Sequence, residues 1–129
     1  MSAVTTEEMQ QRLRAALRSA MKAKDTVAMS ALRSALAAIA NAEAVSPVPP
    51  AGRTAYPPVG SSHVAGSVAG AGAAEARRRV LTAGEVAAII AAEVADRRAA
   101  AIGYEDSGNA GRATRLRREA EVIEAAQGS

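Results

Sequence analysis

Apolar positions recur at helical spacing in four stretches of the chain. Met9, Leu13, Leu17 and Met21 lie four residues apart, with Ala16 and Ala20 beside them, and predict one apolar stripe on a helix running from Thr5-Thr6-Glu7-Glu8 to about Ala23. Thr5 and Glu8 have the spacing of a capping box at its start. Asp25 is a candidate N-cap for a second helix to about Ala44, whose stripe is Leu32, Ala35, Leu36 and Ile39. The connection Lys24-Asp25 is so short that the two helices must fold back as a hairpin.

A second pair opens at Thr82-Ala83-Gly84-Glu85, again a capping box, and carries Val86, Ile89, Ile90 and Val94 on one face. This helix is predicted to reach Gly103 or Tyr104, with Glu105-Asp106-Ser107-Gly108-Asn109 as a turn. Ala113, Leu116, Ala120 and Ile123 then mark a fourth helix. Four amphipathic helices predict an all-α fold, a small bundle of two helical hairpins. The first hairpin occupies residues 1–44 and the second residues 81–129, and together they complete one domain.

Residues 45–80 interrupt the pattern. All five prolines (Pro47, Pro49, Pro50, Pro57, Pro58) and Gly52, Gly60, Gly66, Gly70 and Gly72 fall between Val45 and Ala74, with no periodic apolar residues. Such a segment cannot offset the entropy of ordering, and reads as a long disordered linker between the pairs.

Composition sharpens this picture in one respect. Of 129 residues, 35 are Ala and only two, Tyr56 and Tyr104, are aromatic. A β-fold is excluded by the scarcity of β-branched and aromatic residues. The same scarcity thins the core, predicting low or partner-dependent stability, with unfolding below about 65 °C.

Charge changes the picture locally. The net charge is +3, distributed as +2 over residues 1–44, +3 over 45–81 and −2 over 82–129. This is not the strongly basic footprint of a dedicated nucleic-acid binder, but it leaves room for patches. Arg14 and Arg18 have no acidic residue three or four positions away, and with Lys22 they form a basic stripe beside the first apolar face. The stripe could follow a phosphate backbone. The simpler reading is a solubilising face, or pairing with Glu43 or the acidic last helix. Arg77, Arg78 and Arg79 are a second candidate for phosphate contact, or else a solvated charge run beside the linker. Neither patch interleaves aromatics, so base stacking on single strands is not expected.

Catalytic chemistry finds little support. The single histidine, His63, sits in the linker, and with no cysteine there is no disulfide framework and no metal-ligand set. No cofactor site is expected. Gly66, Gly70 and Gly72 lack the Lys-Ser/Thr and the preceding strand of a phosphate loop. Glu93 with Arg97, Arg115 with Glu119, and Arg117 with Glu121 are spaced i,i+4 and read as solvent-facing pairs. No apolar run approaches the roughly 20 residues of a membrane span, and charges at Glu7, Glu8, Arg12, Arg14 and Arg18 interrupt any secretory signal. Cytoplasmic residence is the expectation.

The local sequences carry a resemblance. Met21-Lys22-Ala23-Lys24-Asp25, followed by Leu32-Arg33 and Ala40-Asn41-Ala42-Glu43, resembles the opening helices of the GatB/YqeY family. Leu81-Thr82-Ala83-Gly84-Glu85-Val86, Glu93-Val94, Arg97-Arg98, Gly111-Arg112 and the run Glu119-Ala120-Glu121-Val122-Ile123-Glu124-Ala125 are similar to its later helices. The linker is longer than that family usually shows. Members continue past the fourth helix with a Tyr-Leu-Pro-like turn and a small helical tail domain, whereas the match here stops at Ala125. The resemblance implies association with glutamine-dependent tRNA amidotransferases, whose activity is carbon–nitrogen ligation with glutamine as amido donor. It also implies that the catalytic sites lie elsewhere, and it carries no catalytic residue onto this chain. A noncatalytic domain associated with tRNA or an amidotransferase is therefore the leading expectation. The competing expectation is a protein-interaction module whose alanine-lined faces accept a partner helix or a second copy.

Overall fold

A computed structural model describes residues 4–44 and 79–128. Among these residues the fold is all-α, with four helices and no strand: α1 (Thr6–Ala23), α2 (Thr26–Glu43), α3 (Ala83–Asp106) and α4 (Ala110–Gly128). The predicted linker, together with Tyr56, His63 and the glycines Gly66, Gly70 and Gly72, lies outside the described residues. The chain divides into two units, Met1–Ile39 with Leu81–Ser129, and Ala40–Val80. In the second, the Arg79 amide donates to the Glu43 carbonyl at 2.8 Å, giving a carbonyl in the last turn of α2 its donor.

Both capping boxes form. The Thr5 hydroxyl accepts from the Glu8 amide at 3.1 Å while the Glu8 carboxylate accepts from the Thr5 amide at 2.9 Å. Thr82 and Glu85 repeat the arrangement with the same two distances. Each box satisfies orphan amides at a helix start and places a carboxylate at the positive end of the dipole.

The two hairpin turns are built alike. At the end of α1, Lys24 adopts a left-handed conformation (φ 57°), so that the Asp25 amide reaches the Ala20 carbonyl at 2.9 Å and the Lys24 amide reaches Met21 at 3.1 Å. At the end of α3, Gly108 (φ 84°) plays that part, with the Asn109 amide on the Tyr104 carbonyl at 2.7 Å and the Gly108 amide on Glu105 at 3.1 Å. These crossed bonds close a helix C-terminus. The next residue then caps the following helix: Asp25 Oδ1 accepts from the Ala28 amide, and Asn109 Oδ1 from the Arg112 amide. One prediction is corrected here. Glu105 and Asp106 belong to the last turn of α3, and the turn proper is Ser107-Gly108-Asn109.

Leu13, Leu32, Val86, Ile39 and Ile123 are the largest fully buried side chains. Between them Ala31, Ala35, Ala101, Ala113 and Ala120 are wholly inaccessible, letting the helix backbones approach closely. α3 packs along α4, and α1 lies against both helices. Met21 departs from its predicted stripe and is 49% exposed. At 100° per residue, a strict spacing of four drifts 40° per step, so three steps from Met9 carry Met21 about 120° around the helix and off the core.

Candidate nucleic-acid interface

The cations of α1 occupy two flanks with different fates. On one, Arg12 Nη1 donates to the Gln127 carbonyl at 2.9 Å, and Gln127 Nε2 donates to the Met9 carbonyl at 3.0 Å, clamping α1 to the end of α4. On the other, Arg14, Arg18 and Lys22 are all exposed. Their rise of 1.5 Å per residue spaces them about 6 Å apart along the axis, over about 12 Å in total.

Arg14 Nη2 donates to Gln10 Oε1 at 3.1 Å, a neutral partner that orients the side chain and leaves its charge uncompensated. Within their own unit, Arg14, Arg18 and Lys22 make no ion pair with a described residue, the carboxylates of α4 included. Of the second predicted patch, Arg77 and Arg78 lie outside the described residues, and Arg79 is exposed with its amide engaged by Glu43.

The arginines of α3 and α4 are committed. Arg97 Nη1 meets Glu93 Oε1 at 2.8 Å and Arg97 Nε meets Glu119 Oε1 at 3.0 Å, while Arg115 Nε takes Glu119 Oε2 at 3.2 Å. Ser34 Oγ joins from α2, donating to Glu93 Oε1 at 3.0 Å. Burial pushes the Arg97 guanidinium down, but hydrogen bonds to Glu93 and Glu119 more than offset it and leave its pKa raised. Arg98 forks onto Glu124 at 2.6 and 3.0 Å, and Arg118 reaches Asp25 at 2.6 Å. Arg112 packs over the Tyr104 ring.

Two sequence readings change in this cluster. Glu93–Arg97 and Arg115–Glu119 do form at i,i+4, yet Glu119 is buried and bridges two arginines rather than facing solvent. Arg117 bypasses Glu121 and forks onto Glu105 at 2.6 and 2.7 Å, because the fold brings the end of α3 beside it. Spacing within one helix could not reveal these partners; the clue was only that arginines and carboxylates are about equally frequent on the two helices.

Among the described residues, no group of three or more His, Cys, Asp or Glu side chains could hold a metal ion, and no helix is long and apolar enough to cross a membrane. No protein-family model matches the chain, and no curated protein or solved structure matches it.

Proposed function

We propose that this chain is a noncatalytic, GatB/YqeY-like helical domain that binds tRNA phosphates through Arg14, Arg18 and Lys22 and serves glutamine-dependent amidotransferase chemistry in the cytoplasm. One contrast carries the reading. All but one of the arginines of α3 and α4 meet a carboxylate, Arg112 lying on Tyr104 instead, whereas Arg14, Arg18 and Lys22 on α1 meet none among the described residues. Exposed cations in a line, spaced by a helical turn, favour a polyanion over a single small acid, since each phosphate contact releases counterions independently. The resemblance in the helical segments supplies the choice of tRNA among polyanions.

Filter binding of tRNA over a salt series tests this reading. Three phosphate contacts predict a slope of log K against log salt of about −2 to −3, and an Arg14→Glu/Arg18→Glu variant should lose most of the binding. Absence of binding at low salt, or an unchanged affinity in that variant, refutes it.

A second reading rests on α3. Its outward face shows Ala87, Ala91, Ala95 and Ala99, ends in Ile102, 56% exposed, and borders a groove of about 730 Å³ shared with Met9 and Val94. Alanines dominate this face, although Arg98 and Glu124 also line the groove, and such a surface is suited to packing against another helix, such as α3 of a second copy. Light scattering distinguishes the two, since a strict monomer removes this reading and leaves the first standing.

A further inference from the structure

Where α3 ends and α4 begins, Tyr104, Arg112, Arg115, Leu116 and Glu119 line a cleft of about 380 Å³. Its two arginines are held in place by other groups. The Arg112 guanidinium carbon lies 5.3 Å from the Tyr104 ring centroid, and Nη1 donates to the Tyr104 hydroxyl at 3.3 Å. Arg115 is anchored through Nε on Glu119 Oε2, and Glu119 is fixed in turn by Arg97 on its other oxygen.

These anchors use only part of the donor capacity. Arg112 Nη2, both Nη groups of Arg115 and the Tyr104 hydroxyl proton have no acceptor among the described residues. Among the described residues Glu119 is the one carboxylate lining the cleft, and both of its oxygens are engaged. Arg112 and Arg115 bring two guanidinium groups to one cleft, and because Glu119 is shared between Arg115 and Arg97, positive charge is left over there.

We propose that this cleft is a phosphate-binding site. Two guanidinium forks and a hydroxyl offer more donors than the two oxygens of a carboxylate can accept, whereas a phosphate presents three oxygens and matches the fork geometry. The Tyr104 ring and Leu116 add an apolar wall beside the phosphate position, so a free phosphate ion or a nucleoside monophosphate fits the same chemistry. The site is separate from the α1 stripe and stands or falls independently of it.

Tyrosine emission provides the readout, because Tyr56 and Tyr104 are the only aromatic residues. In the full chain carrying Tyr56→Phe, titration with sodium phosphate, against sodium chloride at matched ionic strength, should change Tyr104 emission saturably. Arg112→Gln and Arg115→Gln should each weaken binding by about tenfold or more, while Arg14→Glu/Arg18→Glu leaves it unchanged. Arg115→Lys, which keeps the charge and loses the fork, should also weaken it, with helicity by circular dichroism confirming that each variant is folded. A parallel titration with adenosine monophosphate assigns the source: tighter binding than phosphate supports a nucleotide, equal binding the free ion. Emission that follows ionic strength alone, or arginine variants that bind as well as the parent, overturns the proposal.

Discussion

Arg97 and Glu119 meet across the α3–α4 seam at 3.0 Å, with side chains only 14% and 11% exposed. The contact fuses two intrahelical pairs into one chain running from Ser34 through Glu93, Arg97 and Glu119 to Arg115. Removing Glu119 takes away one of the two carboxylates that hold the nearly buried Arg97. Glu119→Ala should therefore cost about 1–3 kcal/mol, while the double variant Arg97→Met/Glu119→Leu, which replaces the pair with apolar volume, should recover most of that loss. Urea denaturation of the three proteins measures both, and a double variant no more stable than Glu119→Ala would show that the pair contributes more than its desolvation removes.

The helices were legible in the sequence because their signals are local. Thr5 with Glu8 and Thr82 with Glu85 announce their caps within three residues, and Asp25 does so directly after a helix end. Leu13, Leu32, Ile39, Val86 and Ile123 fell on predicted stripes and are the large buried residues. What escaped is set by the third dimension. Arg98–Glu124, Arg117–Glu105 and Arg118–Asp25 join residues 26, 12 and 93 positions apart, which periodicity cannot pair. The basic stripe was visible as an absence of nearby acids on α1, and the structure keeps it without an ion pair; the Arg112/Arg115 cleft was not visible, since it depends on Tyr104 arriving from the preceding helix.

The paired hairpin turns differ at the left-handed position, and that difference is measurable. Gly108 occupies the left-handed position of the second turn with open space around it, so Gly108→Ala is opposed by backbone conformation alone and should cost about 1 kcal/mol. Lys24 occupies the matching position of the first turn at φ 57° and already bears that strain. Lys24→Gly should therefore stabilise the chain, by up to about 1 kcal/mol. Thermal melts of the two variants should move in opposite directions; a Lys24→Gly variant that melts lower would refute the assignment of strain to this turn.

Acid should loosen the bundle through four carboxylates. The Ala28 amide, aided by Arg118, holds Asp25 below the usual carboxylate range. The Thr5 amide does so for Glu8, Arg117 for Glu105 and Arg98 for Glu124. Because the folded groups bind protons less readily than their unfolded counterparts, whose pKa lies near 4, the stability they contribute is present above that value and is lost as pH falls through the lower folded pKa. The melting temperature should stay level from about pH 8 to 6 and fall below about pH 4.5. Asp25→Asn should shallow the fall, and an acid-independent melt would contradict these ion pairs.

Alanine has opposite meanings on the two sides of α3 and α4. Ala113 and Ala120 are wholly inaccessible, whereas Ala95 faces outward. Ala120→Val forces extra volume into a seam set by a methyl group and should cost about 1–3 kcal/mol. Ala95→Val meets no such neighbour in the single chain and should stay within about 0.5 kcal/mol. Both values are read against a parent melting below about 65 °C, as so few large side chains fill the core. If Ala95→Val instead destabilises the chain in a concentration-dependent way, the α3 face is covered by a second copy in solution, since mass action links stability to concentration only where association accompanies folding.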